Sequence, residues 1–131
     1  MIAMPELREC DYGQWEGLTR EEVALRFKED WEAWNREGSA ARPTGGEDAF
    51  ALARRGGLAF DRAVREGKTV LISTHRVTLR SILCHALGLD PVFRDRFAVL
   101  NCSLTALECR PGFRPRLLTL NDTCHLSSLE K

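Results

Sequence analysis

A short apolar run leads directly into a helical pattern at residues 70–80, where the sequence reads VLISTHRVTLR. Val70, Leu71 and Ile72 are consecutive apolar residues, which predicts a strand buried on both faces, as in a parallel sheet. After His75, apolar residues recur every three or four positions up to Leu87, the spacing of one helical face. The stretch therefore predicts an α/β fold in which residues 70–74 form a core strand.

The same junction predicts a site for an anion. His75 follows the predicted strand, and open α/β sheets bind their ligands at the carboxyl ends of their strands. Backbone N–H groups and the positive end of the helix dipole favour phosphate at the first turn of the next helix. Arg76 and Arg80 add positive charge nearby. A histidine in this position also serves as a helix cap or as a core residue, so position alone leaves both interpretations open.

Two further helices are predicted ahead of this junction. Thr19 with Glu22 three residues later is a capping box, and it opens a helix with one apolar face. That face consists of Val23, Phe27, Trp31 and Trp34. Glu47 or Asp48 caps a second helix, in which two glycines at 56–57 each cost about 1 kcal/mol relative to alanine unless a neighbouring backbone packs closely on them. Its inward residues are Phe50, Ala53, Gly57, Phe60 and Val64.

The last third of the chain predicts a β-hairpin. Apolar and polar residues alternate over 98–109 and again over 116–120, with a Pro-Gly turn at 111–112 between them. Residues 7–18 are irregular and glycine-punctuated, which predicts a loop. Since the length suits one core and no repeats occur, the sequence predicts a single domain over residues 1–131.

Composition and charge exclude several classes of protein. The 131 residues are 44% hydrophobic and 29% charged, which excludes a disordered or low-complexity chain. The 19 basic and 19 acidic side chains cancel, so no nucleic-acid partner is expected. No apolar run approaches the ~18 residues of a membrane helix. Residues 1–48 carry 6 basic and 12 acidic side chains, and the remainder carry 13 and 7. This asymmetry indicates either two packed halves or an anion-binding surface.

Cysteine usage bears on location and on metals. The five cysteines are an odd number without a CxxC pair, and no signal segment precedes them, so we expect reduced thiols in a cytoplasmic protein. The three histidines lack metal-ligand spacing with those thiols. The sequence therefore predicts neither a metal nor a cofactor.

Five segments, taken in order, resemble motifs of the histidine phosphatase superfamily, the phosphoglycerate-mutase-like phosphatases. Residues 7–17 match Leu-x-Glu-x-x-aromatic-Gly-x-Trp-Glu-Gly, and residues 43–47 match Pro-x-Gly-Gly-Glu. A strand, histidine and helix follow at 70–89, then Asn-x-Ser at 101–103 and Asn-Asp-Thr-x-His-Leu at 121–126. The resemblance covers nearly the whole chain. It implies a phosphoglycerate-mutase-like α/β/α sandwich with a C-terminal antiparallel hairpin.

The resemblance also implies a mechanism. In that family a histidine attacks phosphate and becomes phosphohistidine, which water then hydrolyses. A second histidine and two arginines hold the transferring group, and a glutamate protonates the leaving oxygen. Residue matching gives Glu9 the position of the acid and His75 that of the second histidine. We therefore expect Glu9 and His75 to be catalytic, and His75, Arg76 and Arg80 to bind phosphate.

Two parts of the family pattern have no counterpart in this sequence: the strand with the Arg-His-Gly nucleophile, and the helix with the second arginine. Arg76 also stands where the family usually has glycine. The expectation is an N-terminally truncated, impaired phosphomonoester hydrolase for a small phosphorylated molecule. The alternatives are an inactive module that binds phosphate or a protein partner, or a chain that begins at an internal methionine. An open strand edge beside residues 70–74 further predicts a homo-oligomer.

Overall fold

Four α-helices and one two-stranded antiparallel sheet are the regular elements of residues 1–66 and 69–127, the part of the chain that this computed structural model describes. The helices are α1 (Arg20–Arg26), α2 (Lys28–Glu37), α3 (Ala49–Glu66) and α4 (Arg76–Leu87). The strands are β1 (Leu104–Glu108) and β2 (Arg116–Asp122). Short 3₁₀ turns lie at Pro5–Leu7, Gly13–Trp15, Gly38–Ala40, Pro91–Arg96 and Cys124–Leu126.

The first predicted helix is capped as expected but is divided in two. Thr19 Oγ1 accepts a hydrogen bond from the Glu22 amide at 3.2 Å, and the Glu22 carboxylate accepts one from the Thr19 amide at 2.8 Å. Phe27 has φ −127° and ψ 49°, outside the helical region, so α1 ends and α2 begins there. On α2, Trp31 and Trp34 pack edge-on against Trp15, with ring centroids 5.9 and 5.6 Å away. This contact fixes the 3₁₀ turn at Gly13–Trp15 to the second half of the divided helix.

Helix α3 begins as predicted, and Ala53, Gly57 and Phe60, three of its five predicted inward residues, are buried. Asp48 Oδ1 accepts a hydrogen bond from the Ala51 amide at 2.7 Å, which confirms Asp48 as the cap. Phe50 and Val64, predicted to face inward, are exposed. The buried residues of α3 are Ala49, Leu52, Ala53, Gly56, Gly57, Ala59 and Phe60. Leu52 and the neighbouring alanines thus occupy the buried face of α3 on which Phe50 was expected.

The glycine pair of α3 permits a close approach of α4. A Cβ atom on Gly56 would lie 3.1 Å from Ile82, and one on Gly57 would lie 2.5 Å from Nδ1 of His85. A close contact that offsets the cost of the two glycines is therefore present, but its partners are side chains of α4 and not a backbone. Helix α4 ends at Gly88, whose φ of +69° is the left-handed cap that the sequence predicted.

Residues 70–74 do not form the predicted core strand. They pair with no strand, because β1 and β2 are the only strands in the described part of the chain. Leu71 is 87% exposed and Val70 is exposed as well. A strand exists only where a neighbour satisfies its N–H and C=O groups, and no described segment lies alongside to do so. The helix start is as predicted, because α4 begins directly after His75, its N-cap residue.

The hairpin is confirmed, with a later start. β1 pairs antiparallel with β2, from Leu104 opposite Asp122 to Glu108 opposite Arg116. The predicted alternation over 98–109 begins its ladder only at Leu104 because Cys102 has φ +59°, which turns the backbone out of the extended region. Residues 98–103 therefore form a loop that leads into β1.

Across the described residues, no helix is both long and apolar enough to cross a lipid bilayer.

Candidate active site

The loop that carries Glu9 is held by side chains from helix α3 and from the start of α4. Thr74 Oγ1 donates a hydrogen bond to the Leu7 carbonyl at 2.7 Å. Thr78 Oγ1 donates to the Arg8 carbonyl at 2.6 Å. From α3, Arg55 reaches the same loop and bonds three of its carbonyl oxygens. The position of Glu9 is therefore set by tertiary contacts across about 46 to 70 residues of sequence.

The Glu9 carboxylate lies on the N-terminus of α4. Its Oε1 accepts hydrogen bonds from the Cys10 amide at 2.9 Å and from the Thr78 amide at 3.1 Å. The Thr78 hydroxyl lies 3.2 Å from the same oxygen, but its single proton is directed to the closer Arg8 carbonyl. Its Oε2 accepts one from the Val77 amide at 3.3 Å. Helix N-termini favour a negative charge, and this carboxylate supplies it. The Val77 and Thr78 amides, which the sequence predicted for a bound oxyanion, are therefore already in use.

An open cleft of about 860 Å³ lies beside this helix terminus. His75 and Arg76 are both exposed on its rim, and Glu9 lines the same cleft. The lining residues on this side are Glu9, Leu71, Ile72, Ser73, Thr74, His75, Arg76 and Leu79. The other side consists of residues 99–105, the loop into β1 and its first two residues. The structure thus brings together an acid, an imidazole and a guanidinium from two distant segments.

Arg80, the remaining predicted phosphate ligand, is not brought to this cleft. It lies one turn further along α4, and its side chain is largely buried. Its Nη1 atom is 3.9 Å from Oδ1 of Asp95, in the 3₁₀ turn at Pro91–Arg96. The structure therefore orients Arg80 toward this turn and leaves Arg76 as the arginine on the cleft.

The far wall of the cleft is held by Asn121, a residue whose role the sequence analysis missed. Asn121 Oδ1 accepts a hydrogen bond from the Leu100 amide at 2.7 Å, and Ser103 Oγ donates to the Leu100 carbonyl at 2.8 Å. Asn121 has φ +59°, a conformation that asparagine tolerates better than most side chains. The Asn-Asp pair at 121–122 was the available signal, because asparagine commonly bonds neighbouring backbone at such a turn.

The other two histidines do not line the cleft. His85 lies ten residues after His75 along α4, about 15 Å at 1.5 Å per residue. Its Nε2 is 3.0 Å from Oδ1 of Asp61, and its ring packs edge-on to Phe60 at 6.4 Å. His125 is exposed in the 3₁₀ turn after β2. Among the histidines, His75 is thus the one that the fold places beside Glu9.

Burial perturbs two neighbours of Glu9. Desolvation raises the pKa of the Cys10 thiol to about 11, so Cys10 is a protonated thiol at neutral pH and a poor nucleophile. Burial also raises the pKa of Tyr12, with smaller contributions from Cys10 and Glu9, while Arg94 and Arg76 act in the opposite direction. The phenol therefore stays neutral beside the carboxylate. Within the described part of the chain, no group of three or more His, Cys, Asp or Glu is arranged to hold a metal ion.

Solved structures share this architecture. The alpha-ribazole phosphatase of Shigella flexneri superposes with a TM-score of 0.79 at 25% identity, over 91% of this chain and 59% of that chain. A mycobacterial glucosyl-3-phosphoglycerate phosphatase shares the fold, with a TM-score of 0.77 at 23% identity over 92% of this chain and 64% of that one. The predicted α/β histidine-phosphatase fold is therefore confirmed.

The family is equally clear from the sequence. The family model described as "Histidine phosphatase superfamily (branch 1)" matches residues 1–123. Phosphoserine phosphatase 1 of Hydrogenobacter thermophilus is 32% identical over 128 residues, which are 96% of this chain and 60% of that protein. The chain belongs to the histidine phosphatase superfamily. It spans about three fifths of the length of these relatives.

Proposed function

We propose that the chain is a phosphomonoester hydrolase of histidine phosphatase type with reduced turnover, and that it binds a small phosphorylated molecule in the cleft beside His75. The single observation that supports this proposal is the convergence of Glu9, His75 and Arg76 on one cleft. These three side chains come from segments 66 residues apart in sequence. A carboxylic acid, an imidazole and a guanidinium are the groups that protonate a leaving oxygen and stabilise a phosphoryl group.

Each residue has a distinct role in the proposal. His75 and Arg76 bond the phosphoryl oxygens and offset the charge that develops on them. Water attacks the phosphorus and forms the new P–O bond, while Glu9 transfers its proton to the ester oxygen as the ester P–O bond breaks. The leaving group departs as an alcohol, the phosphoryl group as inorganic phosphate, and the proton lost by the water restores Glu9. The carboxylate oxygen Oε2 accepts one long hydrogen bond, from the Val77 amide at 3.3 Å, whereas Oε1 accepts two shorter ones from backbone amides. Oε2 is therefore the oxygen assigned to carry that proton.

Turnover is reduced in this proposal because the described residues place no second histidine in the cleft to act as nucleophile. The family uses a second histidine as nucleophile, and of the histidines in the described region neither His85 nor His125 lines the cleft. Loss of a nucleophile from a cooperative catalytic unit costs up to ~10⁶-fold in rate, as it does in serine proteases. The residual rate would come from charge stabilisation and from protonation of the leaving group.

The test uses two phosphomonoesters with different leaving groups. p-Nitrophenolate leaves without much help from an acid, whereas the alcohol of an alkyl phosphate such as phosphoserine needs a proton. We expect His75→Ala to abolish the hydrolysis of both esters, and Glu9→Gln to lower phosphoserine hydrolysis ~10²-fold or more with a much smaller effect on p-nitrophenyl phosphate. His125→Ala is the matched control, because this exposed histidine lies off the cleft. Equal rates for the wild-type chain and His75→Ala would refute the proposal.

The second candidate function is a binding module without turnover. The observation that favours it is that the Glu9 carboxylate already caps α4, while no second histidine of the described chain reaches the cleft. NMR titration with millimolar inorganic phosphate separates the two functions. Shifts in the His75 ring signals without hydrolysis of either ester support a binding module. Unchanged His75 signals contradict any anion site in the cleft.

We also propose that copies of the chain associate along residues 70–74. Leu71 is 87% exposed beside backbone that no described strand pairs, and exposed strand-forming segments of this kind are templates for pairing. A two-fold arrangement would cover this segment in both copies at once. Light scattering at micromolar concentration is the test. A monomer of 14.8 kDa would contradict self-association.

A further inference from the structure

We propose that Arg55 is a positioning residue, which sets the place of the Glu9 carboxylate without touching the substrate. The inference rests on the proposed function insofar as Glu9 is the proton donor, but its structural content is independent of turnover. Arg55 lies on α3 and does not line the cleft. It acts through the backbone of the loop that carries Glu9.

Arg55 uses every hydrogen-bond donor that a guanidinium has. Its Nη1 donates to the carbonyls of Glu6 at 2.6 Å and Arg8 at 2.8 Å. Its Nη2 donates to the carbonyl of Glu9 at 2.8 Å and to the Glu47 carboxylate at 2.8 Å. Its Nε donates to the other Glu47 oxygen, also at 2.8 Å. A guanidinium has five N–H groups, and all five are engaged.

The bonded carbonyls are those on which the direction of Glu9 depends. This loop belongs to no sheet or α-helix, so few backbone bonds of its own hold it. Arg55 bonds three of the carbonyls between residues 6 and 9, and the Thr74 hydroxyl bonds the fourth, that of Leu7. Each carbonyl from residue 6 to residue 9 therefore accepts a side-chain hydrogen bond. The backbone on both sides of the Glu9 Cα atom is thereby fixed. The side chain can then reach Val77 and Thr78 in a single orientation.

Glu47 holds Arg55 in turn. The two side chains form a bidentate pair and are only 13% and 11% exposed, so the pair is shielded from water and its hydrogen bonds are strong and directional. The Glu47 amide donates to the Asp11 carbonyl at 2.8 Å, which connects the pair to the loop again just past Glu9. The Glu9 loop is therefore bonded at both of its ends to one largely shielded ion pair.

Lysine cannot reproduce this arrangement. An ammonium group has three donors on a single atom and no planar fork, so it cannot bond a carboxylate in bidentate fashion and three carbonyls together. Arg55→Lys keeps the charge and much of the apolar stem, and it removes the fork. The same helix offers a control in Arg62, whose exposed guanidinium pairs with Glu66 four residues on.

The experiment measures the link between Arg55 and Glu9 at the Thr78 amide, which bonds the Glu9 carboxylate. Amide hydrogen exchange is followed by NMR in the wild-type chain, Arg55→Lys, Glu9→Gln and the double variant, with the fully buried Leu83 of the same helix as reference for global opening. We expect Arg55→Lys to speed exchange at Thr78 at least 10-fold relative to Leu83, and Glu9→Gln, which keeps an acceptor oxygen, to speed it about 5-fold. We expect Glu9→Gln to add less than 2-fold in the Arg55→Lys background, because the carboxylate has by then already left its place.

A purely structural role for Arg55 gives the opposite pattern. If Arg55 only stabilises the fold, the two substitutions act independently and their effects at Thr78 multiply, which would overturn the proposal. Arg62→Lys and the destabilising Ala59→Gly on the same helix should leave the effect of Glu9→Gln at its wild-type size. Loss of that effect in either control would also overturn it.

Failure of the proposed function stays distinguishable from failure of this inference. Exchange at Thr78 requires no substrate, so a chain that hydrolyses neither ester can still show non-additive effects, which would support positioning and refute turnover. If hydrolysis is present, Arg55→Lys should lower kcat for phosphoserine at least 10-fold while KM changes less than 3-fold, because Arg55 touches no substrate. A change confined to KM would overturn the inference.

Discussion

Removal of the Glu9 carboxylate should destabilise the protein, although Glu9 is also its candidate acid. In Glu9→Ala the amides of Val77 and Thr78 lose their acceptor at the N-terminus of α4. Loss of a helix cap costs about 1 kcal/mol, within a range of roughly 0.5–2. Loss of a negative charge at the helix dipole costs a further ~0.3–1 kcal/mol. The expected loss in free energy of unfolding is therefore about 2 kcal/mol. Glu9→Gln keeps an acceptor oxygen and should lose about 1 kcal/mol.

Thermal and urea unfolding followed by circular dichroism measure this loss. With an unfolding entropy of ~2.1 cal/mol/K per residue over 131 residues, 2 kcal/mol lowers Tm by about 7 °C. Glu32→Ala is the control, because this carboxylate lies on the exposed face of α2, 4.0 Å from Lys28. An exposed pair of this kind contributes about 0.5 kcal/mol or less, so Tm should fall by less than ~2 °C.

The sign of the change in the free energy of unfolding shows whether the Glu9 carboxylate caps α4. Catalytic residues are commonly held in unfavourable settings, and their removal then stabilises a protein. Glu9 accepts hydrogen bonds from three backbone amides, so its removal should instead destabilise the protein. A Glu9→Ala variant as stable as the wild-type chain, or more stable, would mean that the carboxylate does not cap α4 in solution, and the assignment of Oε2 as proton carrier would fall with it.

Three further predictions concern other parts of the fold. Gly13→Ala should lower the free energy of unfolding by about 3 kcal/mol or more, or prevent folding, because its φ is +56° and the new Cβ would clash with facing backbone. The control is Gly17→Ala, which has φ +78° but open space around the new Cβ and should cost about 1 kcal/mol in the same unfolding assay. Iodoacetamide at pH 8 should alkylate the exposed Cys102 quickly and Cys10 very slowly, because burial raises the pKa of Cys10 to about 11; equal rates by mass spectrometry would contradict this. Arg94 is 1% exposed, and its Nε and Nη1 find no acceptor among the described residues. Arg94→Met should therefore leave the free energy of unfolding unchanged or raise it by up to about 2 kcal/mol. A loss above about 2 kcal/mol would show that the guanidinium is satisfied.

Local signals were read correctly from the sequence because their causes are local. The capping box at Thr19, the Asp48 cap and the Gly88 terminus depend on residues within a few positions of one another, and all three are present. The approach of Glu9 to the helix after His75 could not be obtained in this way. It was predicted only from the family motifs, since no periodicity connects a loop at residue 9 to a helix at residue 76.

The wrong predictions share a different cause. Residues 70–74 have the composition of a buried strand, but burial depends on neighbours that the segment itself does not specify. Phe50 fits an apolar stripe, yet the face of α3 that α4 contacts is set by the glycines at 56–57. The role of Arg55 could not be predicted from the sequence, because three of its partners are backbone carbonyls. Every residue has such a carbonyl, so no sequence motif distinguishes them.

Two segments that line the cleft differ in how firmly they are held, and this difference predicts how the protein responds to an occupant. The Glu9 loop is fixed by hydrogen bonds that use every donor of Arg55, and an acid that must meet a leaving oxygen gains from such rigidity. The segment at 70–75 instead exposes Leu71 and has no strand partner among the described residues. Inorganic phosphate at millimolar concentration should therefore slow amide exchange in residues 70–76 several-fold and leave residues 6–10 unchanged. Slowing at residues 6–10 of the same size would mean that the Glu9 loop is not preformed.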